Sequence, residues 1–589
     1  TGWRLEVGGW KRRLPPWPIL VIVGLFLMLG VVYSINVPLF EASDELWHYP
    51  MVAHIAEHWE LPIQPTEPGA ESGPWRQEAS QPPLYYTLGA ALTFWIDTAD
   101  MDAVRHLNPH VAAGEITSDA SNVNLIVHDP ALRRFPWQGT ALAVHLVRFL
   151  SVALGAWAVY LTWAIVRELF PRPPWLAPVV AAVHAFTPMY LFISASVNND
   201  NLIVPLCSLV LLMMIRRVKA RRSECHSDLA AKFYLGLGAV IGLGLLTKAS
   251  AIGLLPLAAA TIAWEAWRRS EWHSDLANSQ SALRNTKYAI RAIIPQVPIA
   301  LRNALLVLAP ALLLSGWWFY RNFRLYGDWL GLNAFYAVLG TRDVPADFAQ
   351  LWAERFAFAA GYWGNFGGLN VPMPDWAYAI LNTVAMVALA GLILRFLFWL
   401  TGEESRIKNQ ELRTKNRESG IKSYAIRNTQ YAIRSISRLW PFSWDSLTAA
   451  RALAWAWPAA IFVSWVRWAT VTWSSQGRLI FSAIPMWSLA LVWGLTVWIP
   501  RRAAFYRRTV ALDLAAFLLS LSVIALPAWI LPAYRPPTVV TTELAQPLDH
   551  GFGEALRLRG YENDTDVVRP RERVSLTPRW ERLTPTAPA

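Results

Sequence analysis

The residues best suited to chemistry stand in one polar stretch. It runs FEASDELWHYPMVAHIAEHWELPIQ from Phe40, and closes with QEASQPPLYY, ending at Tyr86. Asp44 and Glu45 are adjacent carboxylates a few residues beyond Leu39, where a long apolar run ends. Ionised groups at the edge of an apolar span are costly to hold and are functional by default. On a helix, Asp44 and His48 are i,i+4 neighbours and share a face. A carboxylate there can act as general base on a hydroxyl, its pKa raised by burial or held down by a cation. A solvated helix start with Ser43 or Asp44 as its N-cap accounts for the same residues equally well.

Other candidates are scattered along the chain. His54, Glu57 and His58 match the HxxEH pattern of zinc peptidases, although helix-surface residues ahead of Leu61-Pro62 are the simpler reading. Gln81-Pro82-Pro83-Leu84-Tyr85 makes a stiff start to a short helix and could form a rim for a lipid head group; proline at a helix start is ordinary in itself. Asn199 and Asp200 belong to a polar cluster, SVNNDN, that a tight turn would also explain. Lys248, Arg321 and Arg478 flank apolar runs, as do His145 and Arg148. Any one such cation can simply snorkel. As a set, Lys248, Arg321 and Arg478 fall on the same predicted side as Asp44 and suit an anionic ligand such as a lipid phosphate.

The elements that must position these residues are apolar runs. Of 589 residues, 54% are hydrophobic and 16% charged, with a mean hydropathy of +0.28. Runs of about 20 apolar residues cross a hydrocarbon core. The expected fold is an all-α polytopic membrane protein with about eleven transmembrane helices by that rule. They fall at Trp17–Leu39, Ala141–Val166, Trp175–Ser194, Leu202–Ile215, Phe233–Leu246, Ala249–Trp267 and Asn303–Tyr320, then Trp376–Leu400, Ala452–Val471, Leu479–Ile499 and Val510–Leu531. Leu84–Ile96 is too short to span and reads as an interfacial or re-entrant helix. The first run carries no cleavage-site pattern and should remain as an anchor.

Charge sets the expected orientation. Lys11, Arg12 and Arg13 precede the first run. If Leu84–Ile96 does not cross, the basic loops 216–222, 268–302, 406–438 and 500–508 all fall inside, as the positive-inside rule asks. The N-terminus (1–16) is then cytoplasmic and the C-terminus outside. Residues 17–533 form the membrane domain, with a large first extracytoplasmic loop, 40–138. The net charge of +12 lies in these loops, so nucleic acid is not an expected partner. Cys207 and Cys225 suggest neither a disulfide nor a metal site. The words HSDLA (226–230, 273–277) and YAIR (288–291, 424–427, 431–434) mark basic insertions within 268–302 and 401–450, with no solenoid period. The tail, 534–589, is polar and proline-rich. Alternation at 555–561 and 573–580 predicts two strands, the start of a β-type domain.

FEASDELWHYPMVAHIAEHWELP followed by QPPLYY resembles the first outer loop of the GT-C superfamily of integral-membrane glycosyltransferases, in the protein-mannosyltransferase-like branch that includes aminoarabinose transferases. SVNNDN, LTKAS, YRNFRLYGD and QGRLIFSAIP follow in the same order. The resemblance implies inverting transfer of a sugar from a polyprenyl-phosphate donor to an acceptor hydroxyl on a glycan, lipid or protein. It places the reaction on the outer side of a bacterial-type plasma membrane. Asp44 maps onto the catalytic acid and Glu45 onto its neighbour. Lys248, Arg321 and Arg478 map onto donor-phosphate contacts, with His48, Gln81, Tyr85, Asn199, Asp200 and Arg148 around the substrate. Gln81 departs from the Lys or His of many relatives. The residues identify no cofactor with certainty, and a divalent cation is left open. A lipid-sugar flippase and a lipid-pyrophosphate-dependent glycan ligase remain alternatives.

Overall fold

The computed structural model describes residues 4–7, 10–13, 16–67, 71–109, 111, 123–220, 228–269, 294–400, 445–535, 546–552, 556–563 and 576–583. Among them, nine helices are long and apolar enough to cross a membrane. A bent pair, Leu176–Ala185 and Pro188–Ser194, would make ten. The eleventh expected crossing is the shorter helix over 230–245, so the described residues do not confirm the count of eleven. The bend, 64°, falls where one continuous span was expected. Thr187 is extended there, and Pro188 opens the second helix because it lacks a donor for the first.

Local chemistry sets the helix limits. Asp445 caps Ser446–Val471 by accepting from the Thr448 backbone N–H at 2.7 Å. Proline opens Trp17–Asn36 and Val297–Tyr326, and Gly327 ends the latter at φ +67°. Between helices the contacts are very close. A Cβ on Gly238 would lie 2.1 Å from the Val307 carbonyl, and one on Gly494 2.1 Å from that of Ala388. Lipid supplies no hydrophobic drive between helices, so such small-residue contacts, which maximise van der Waals packing, hold the bundle together. Tyr33 in the first helix donates to the Ser522 carbonyl at 2.6 Å, tying the ends of the membrane domain together.

The two ends of the bundle carry separate charge networks. At one end Glu265 is gripped by Arg217, at 2.7 and 2.8 Å, and by Arg269 and Tyr234; Glu168 takes Arg216 and Lys219. The candidate site is at the other end. Between the first two spanning helices lie the helix Glu45–His58, the 3-10 turn Arg76–Ser80 and the ten-residue helix Leu84–Thr93, which does not span.

Two strands were expected in the tail and three are present. Gln546–Phe552, Leu556–Asn563 and Leu576–Arg582 form an antiparallel sheet in sequence order. The first carries Pro547, His550 and Gly551, which break the alternation that marks a strand. A second unforeseen pair, Arg4–Val7 with Trp10–Arg13, precedes the first helix. The repeated words at 273–277, 288–291, 424–427 and 431–434, residues 226–227 of the first HSDLA, and Cys225 lie outside the described residues.

Candidate active site

Asp44 occupies the N-cap position of Glu45–His58, but its side chain makes no capping bond. Its backbone is left-handed, φ +65°, an uncommon conformation outside glycine that Asp tolerates better than most. The carboxylate instead pairs with the Arg478 guanidinium, 434 residues away in sequence. The Asp44 side chain is 35% exposed and that of Arg478 4%, so the acid is the open member of the pair. Burial pushes the Asp44 carboxyl up, yet Arg478, then His48 where acid pH charges it, and Lys248 outweigh it and hold the group below its ordinary value.

Arg478 lies in the 3-10 segment Gly477–Ala483 that opens the next spanning helix. Its Nε donates to Gln476 Oε1 at 2.6 Å. The turn is fixed from behind: Glu354 accepts from Ser475 and from Arg342, the latter at 2.7 Å. Lys248 ends the break after Asp228–Leu245 and pairs with Asp200, the first residue of Asp200–Lys219. The Lys248 ammonium is partly exposed.

Glu45 faces the opposite way. Its side chain and that of Arg148 are both fully buried and form a two-armed pair at 2.9 and 2.5 Å. Glu45 also accepts from the backbone N–H groups of Phe40, at 2.9 Å, and Val197, at 2.8 Å. Arg148 donates onward to the carbonyls of Ser34, Val37 and Pro38 at 2.7, 2.8 and 3.1 Å. Every lone pair is engaged, so this pair fastens the first outer segment to two spanning helices.

His48 sits deeper. Its Nδ1 lies 2.8 Å from the Tyr86 hydroxyl and 3.3 Å from Glu78. Burial lowers the imidazole to about 4, reinforced by Lys248 and Arg478 against Asp44 and Asp200. Near neutral pH the ring is thus uncharged, and Arg478 and Lys248 are the cations that keep Asp44 ionised. Asn199 donates to Gln81 at 2.6 Å and to Tyr86 at 3.3 Å. Tyr85 is a scaffold group: its hydroxyl meets Ser151 at 2.6 Å and accepts from the Asn198 N–H at 3.1 Å.

The expected set is thus partly assembled. Asp44, His48, Asp200, Lys248 and Arg478 share one electrostatic cluster, with Asn199 and Gln81 at its edge. Glu45, Arg148 and Tyr85 form its buried backing. Arg321 goes elsewhere: it donates to the carbonyls of Leu61 and Pro62 at 3.3 and 2.9 Å and lies 5.1 Å over Trp318. Among the described residues, no hydrogen bond or ion pair joins it to the cluster. Its helix passes beside the chain leaving Glu45–His58, and the carbonyls there are nearer than the acid.

His54 and His58 stack ring on ring at 4.5 Å, with Glu57 turned to the surface. Among the described residues, no group of three or more His, Cys, Asp or Glu could hold a metal ion.

Two acids escaped the sequence reading. Glu78 is buried in the Arg76–Ser80 turn, where it accepts from Gln77 at 2.8 Å and meets Tyr86 at 3.0 Å. Burial, aided by the Asp44 charge, pushes it up to about 8. Glu41, fully buried, accepts from the N–H groups of Leu125 and Ile126 and lies 2.7 Å from His128. An acid followed by Ala and Ser in a polar stretch, as both of these are, looks solvated. Only the packing of Tyr86 on Glu78, and of Leu125, Ile126 and His128 on Glu41, reveals otherwise.

The family model described as dolichyl-phosphate-mannose-protein mannosyltransferase matches residues 140–282, the branch that the loop motifs resemble. That stretch takes in Arg148, Asn199, Asp200 and Lys248 and leaves out Asp44 and Arg478. No protein of curated function matches in sequence. Among solved structures, the Saccharomyces cerevisiae protein O-mannosyltransferase Pmt1-Pmt2 complex bound to the sugar donor is 15% identical with TM-score 0.33, covering 53% of this chain and 34% of that one. The Archaeoglobus fulgidus oligosaccharyltransferase in its apo form is 13% identical with TM-score 0.42, over 87% of this chain and 56% of that one. ArnT from Cupriavidus metallidurans is 13% identical with TM-score 0.30, over 86% and 79%. The chain thus spans between a third and a little over half of the length of the first two.

Proposed function

We propose that this chain is an inverting glycosyltransferase that moves a sugar from a polyprenyl-phosphate donor to an acceptor hydroxyl, with Asp44 as general base. The observation that carries the reading is the open Asp44 carboxylate, kept ionised by Arg478 and Lys248 at one end of the bundle. The match to a mannosyltransferase family model over 140–282 supports the same class. In the reaction the acceptor oxygen attacks the anomeric carbon as Asp44 takes its proton, and the carbon–oxygen bond to phosphate breaks with its electron pair leaving on the phosphate. The transition state has oxocarbenium character. Charge then grows on the phosphate, where fixed cations are most effective. Arg478 spends Nε on Gln476 and Nη2 on Asp44, which leaves Nη1 for a phosphate oxygen. Lys248 supplies a second, partly exposed cation. Glu45 and Arg148 hold Asp44 in place without reacting.

Arg216, Arg217, Lys219, Arg268 and Arg269 at the opposite end favour an outward-facing site by the positive-inside rule. The test uses the full chain in vesicles with a radiolabelled polyprenyl-phosphate sugar and an acceptor extract. Release of polyprenyl phosphate, lost in Asp44→Asn with folding retained, is expected. Full turnover in that variant overturns the assignment.

A further inference from the structure

Glu78, Tyr86 and His48 form a buried chain of hydrogen bonds beside Asp44, and the direction of that chain can be worked out. Tyr86 Oη lies 3.0 Å from Glu78 Oε2 and 2.8 Å from His48 Nδ1, and it accepts from Asn199 Nδ2 at 3.3 Å. Glu78 Oε1 accepts from Gln77. The charged and titratable groups facing this chain are Asp44 on the helix of His48, Asp200 beside Asn199, Lys248 after Asp228–Leu245, and Arg478 at the head of its own helix. Glu78 is buried, and among the described residues its contacts are the Gln77 amide, the Tyr86 hydroxyl and the His48 ring at 3.3 Å, with no lysine or arginine bonded to it, so the neutral acid is favoured; burial and the Asp44 charge raise its pKa in the same sense.

A hydroxyl has one hydrogen to give and two lone pairs. With Glu78 protonated, its O–H donates to Tyr86, whose oxygen also accepts from Asn199. The Tyr86 hydrogen can then go only to His48 Nδ1. The neutral imidazole therefore carries its own hydrogen on Nε2, and that atom is a donor. Removing the Glu78 proton reverses the Glu78–Tyr86 and Tyr86–His48 links, while Asn199 still donates to Tyr86. Tyr86 then donates to the carboxylate, His48 carries its hydrogen on Nδ1, and Nε2 becomes an acceptor.

We propose that Glu78 and Tyr86 are positioning residues that fix the tautomer of His48, so that its Nε2 presents a hydrogen-bond donor beside Asp44 to a sugar hydroxyl or phosphate oxygen of the donor. This rests on the transferase reading above. It also limits the working range, because the donor is lost when Glu78 ionises. Two buried groups that do not touch substrate thus decide the polarity of the one that does.

Two measurements test it, one of them independent of turnover. In the full chain labelled with nitrogen-15 histidine, the His48 signals, assigned by difference with His48→Gln, should report an Nε2-protonated ring at pH 7. They should convert to the Nδ1-protonated form with a midpoint near 8. Glu78→Gln, whose amide donates but cannot titrate, should hold the first form throughout. In the transferase assay, wild-type turnover should fall about tenfold per pH unit well above that midpoint, as for loss of one required proton. Glu78→Gln should lack this alkaline limb, and Tyr86→Phe should lose turnover without acquiring a new one. A merely structural Glu78 would scale the whole profile and leave its shape alone. A His48 tautomer that ignores pH from 7 to 9.5 (an interval of about 1.5 units either side of the midpoint at most), or an alkaline limb that survives in Glu78→Gln, overturns the inference. Absence of polyprenyl phosphate release overturns the transferase reading and leaves the tautomer result standing.

Discussion

Cutting the bond between Glu45 and Arg148 should unfold the site end of the molecule, and the cost can be worked from its contacts. Both side chains are fully buried. Glu45 accepts two bonds from Arg148 and one each from the Phe40 and Val197 N–H groups, and Arg148 gives three more to carbonyls. In Arg148→Met the carboxylate keeps only its two backbone donors, and its charge is uncompensated. In Glu45→Gln the amide N–H₂ must face donors, and the guanidinium charge is stranded. Removing one member of a buried pair costs about 3–5 kcal/mol. The double variant loses both charges together, so it should cost less than the sum of the singles, with a coupling of up to roughly 3 kcal/mol. The assay is unfolding by sodium dodecyl sulfate in mixed micelles, read for all four members of the cycle. Additive losses, or singles each under about 1 kcal/mol as for an exposed pair, would refute the claim that this pair fastens the outer segment.

Four other outcomes are expected. Gly477→Ala puts a Cβ 2.2 Å from the Phe358 carbonyl and 2.7 Å from Tyr362 Cβ, so the Arg478 turn must shift; turnover should drop on the order of 10²-fold, as for an ångström-scale misplacement, with the chain still folded in size-exclusion chromatography. Lys248→Met should lower turnover and raise the donor KM, since it removes a cation from the phosphate while Arg478 remains; unchanged donor kinetics would exclude Lys248 from the site. On the acid side, Asp44 must be ionised and its pKa is held below the ordinary value. Turnover should therefore persist as pH falls through the usual carboxylate range and be lost only below it; a limb near 6 would point to another base. Glu57→Gln should leave transfer within twofold and reveal no chelator-sensitive peptide cleavage, because Glu57 faces outward beside two stacked histidines.

Apolar runs carried most of the fold into view, because a lipid-facing helix must be apolar along its whole length. The segments at 17–39 and 452–471 coincide closely with Trp17–Asn36 and Ser446–Val471. The break at Thr187–Pro188 did not stand out, since hydropathy continues smoothly across it. Asp44 was visible through its place just beyond a span, and Arg478 and Lys248 through isolation between apolar runs. What periodicity could not reveal is direction. Arg321 and Arg478 look alike as helix-end cations, yet one meets carbonyls of the Leu61-Pro62 link and the other the acid. Glu45 and Asp44 look like a working pair, and only the packing of Arg148 separates them.

That separation follows from one backbone angle. Successive residues entering a helix in ordinary geometry would place Asp44 and Glu45 about 100° apart around its axis, both within reach of one chamber. The left-handed turn at Asp44, φ +65°, breaks that relation. Glu45 goes down onto Arg148, and Asp44 is left facing Arg478, its side chain half open. Left-handed backbone costs roughly 1–2 kcal/mol for most L-residues, less for Asn and Asp. Asp44→Asn should therefore keep the fold and lose the chemistry. Asp44→Val removes the same charge but adds a β-branched side chain where the angle is least welcome, and should unfold at lower denaturant by roughly 1–2 kcal/mol relative to Asp44→Asn. Asp44→Gly should be no less stable than Asp44→Asn and equally inactive. Equal stability of the Asn and Val variants would mean that the turn relaxes freely, and that something other than this angle divides the open acid from the buried one.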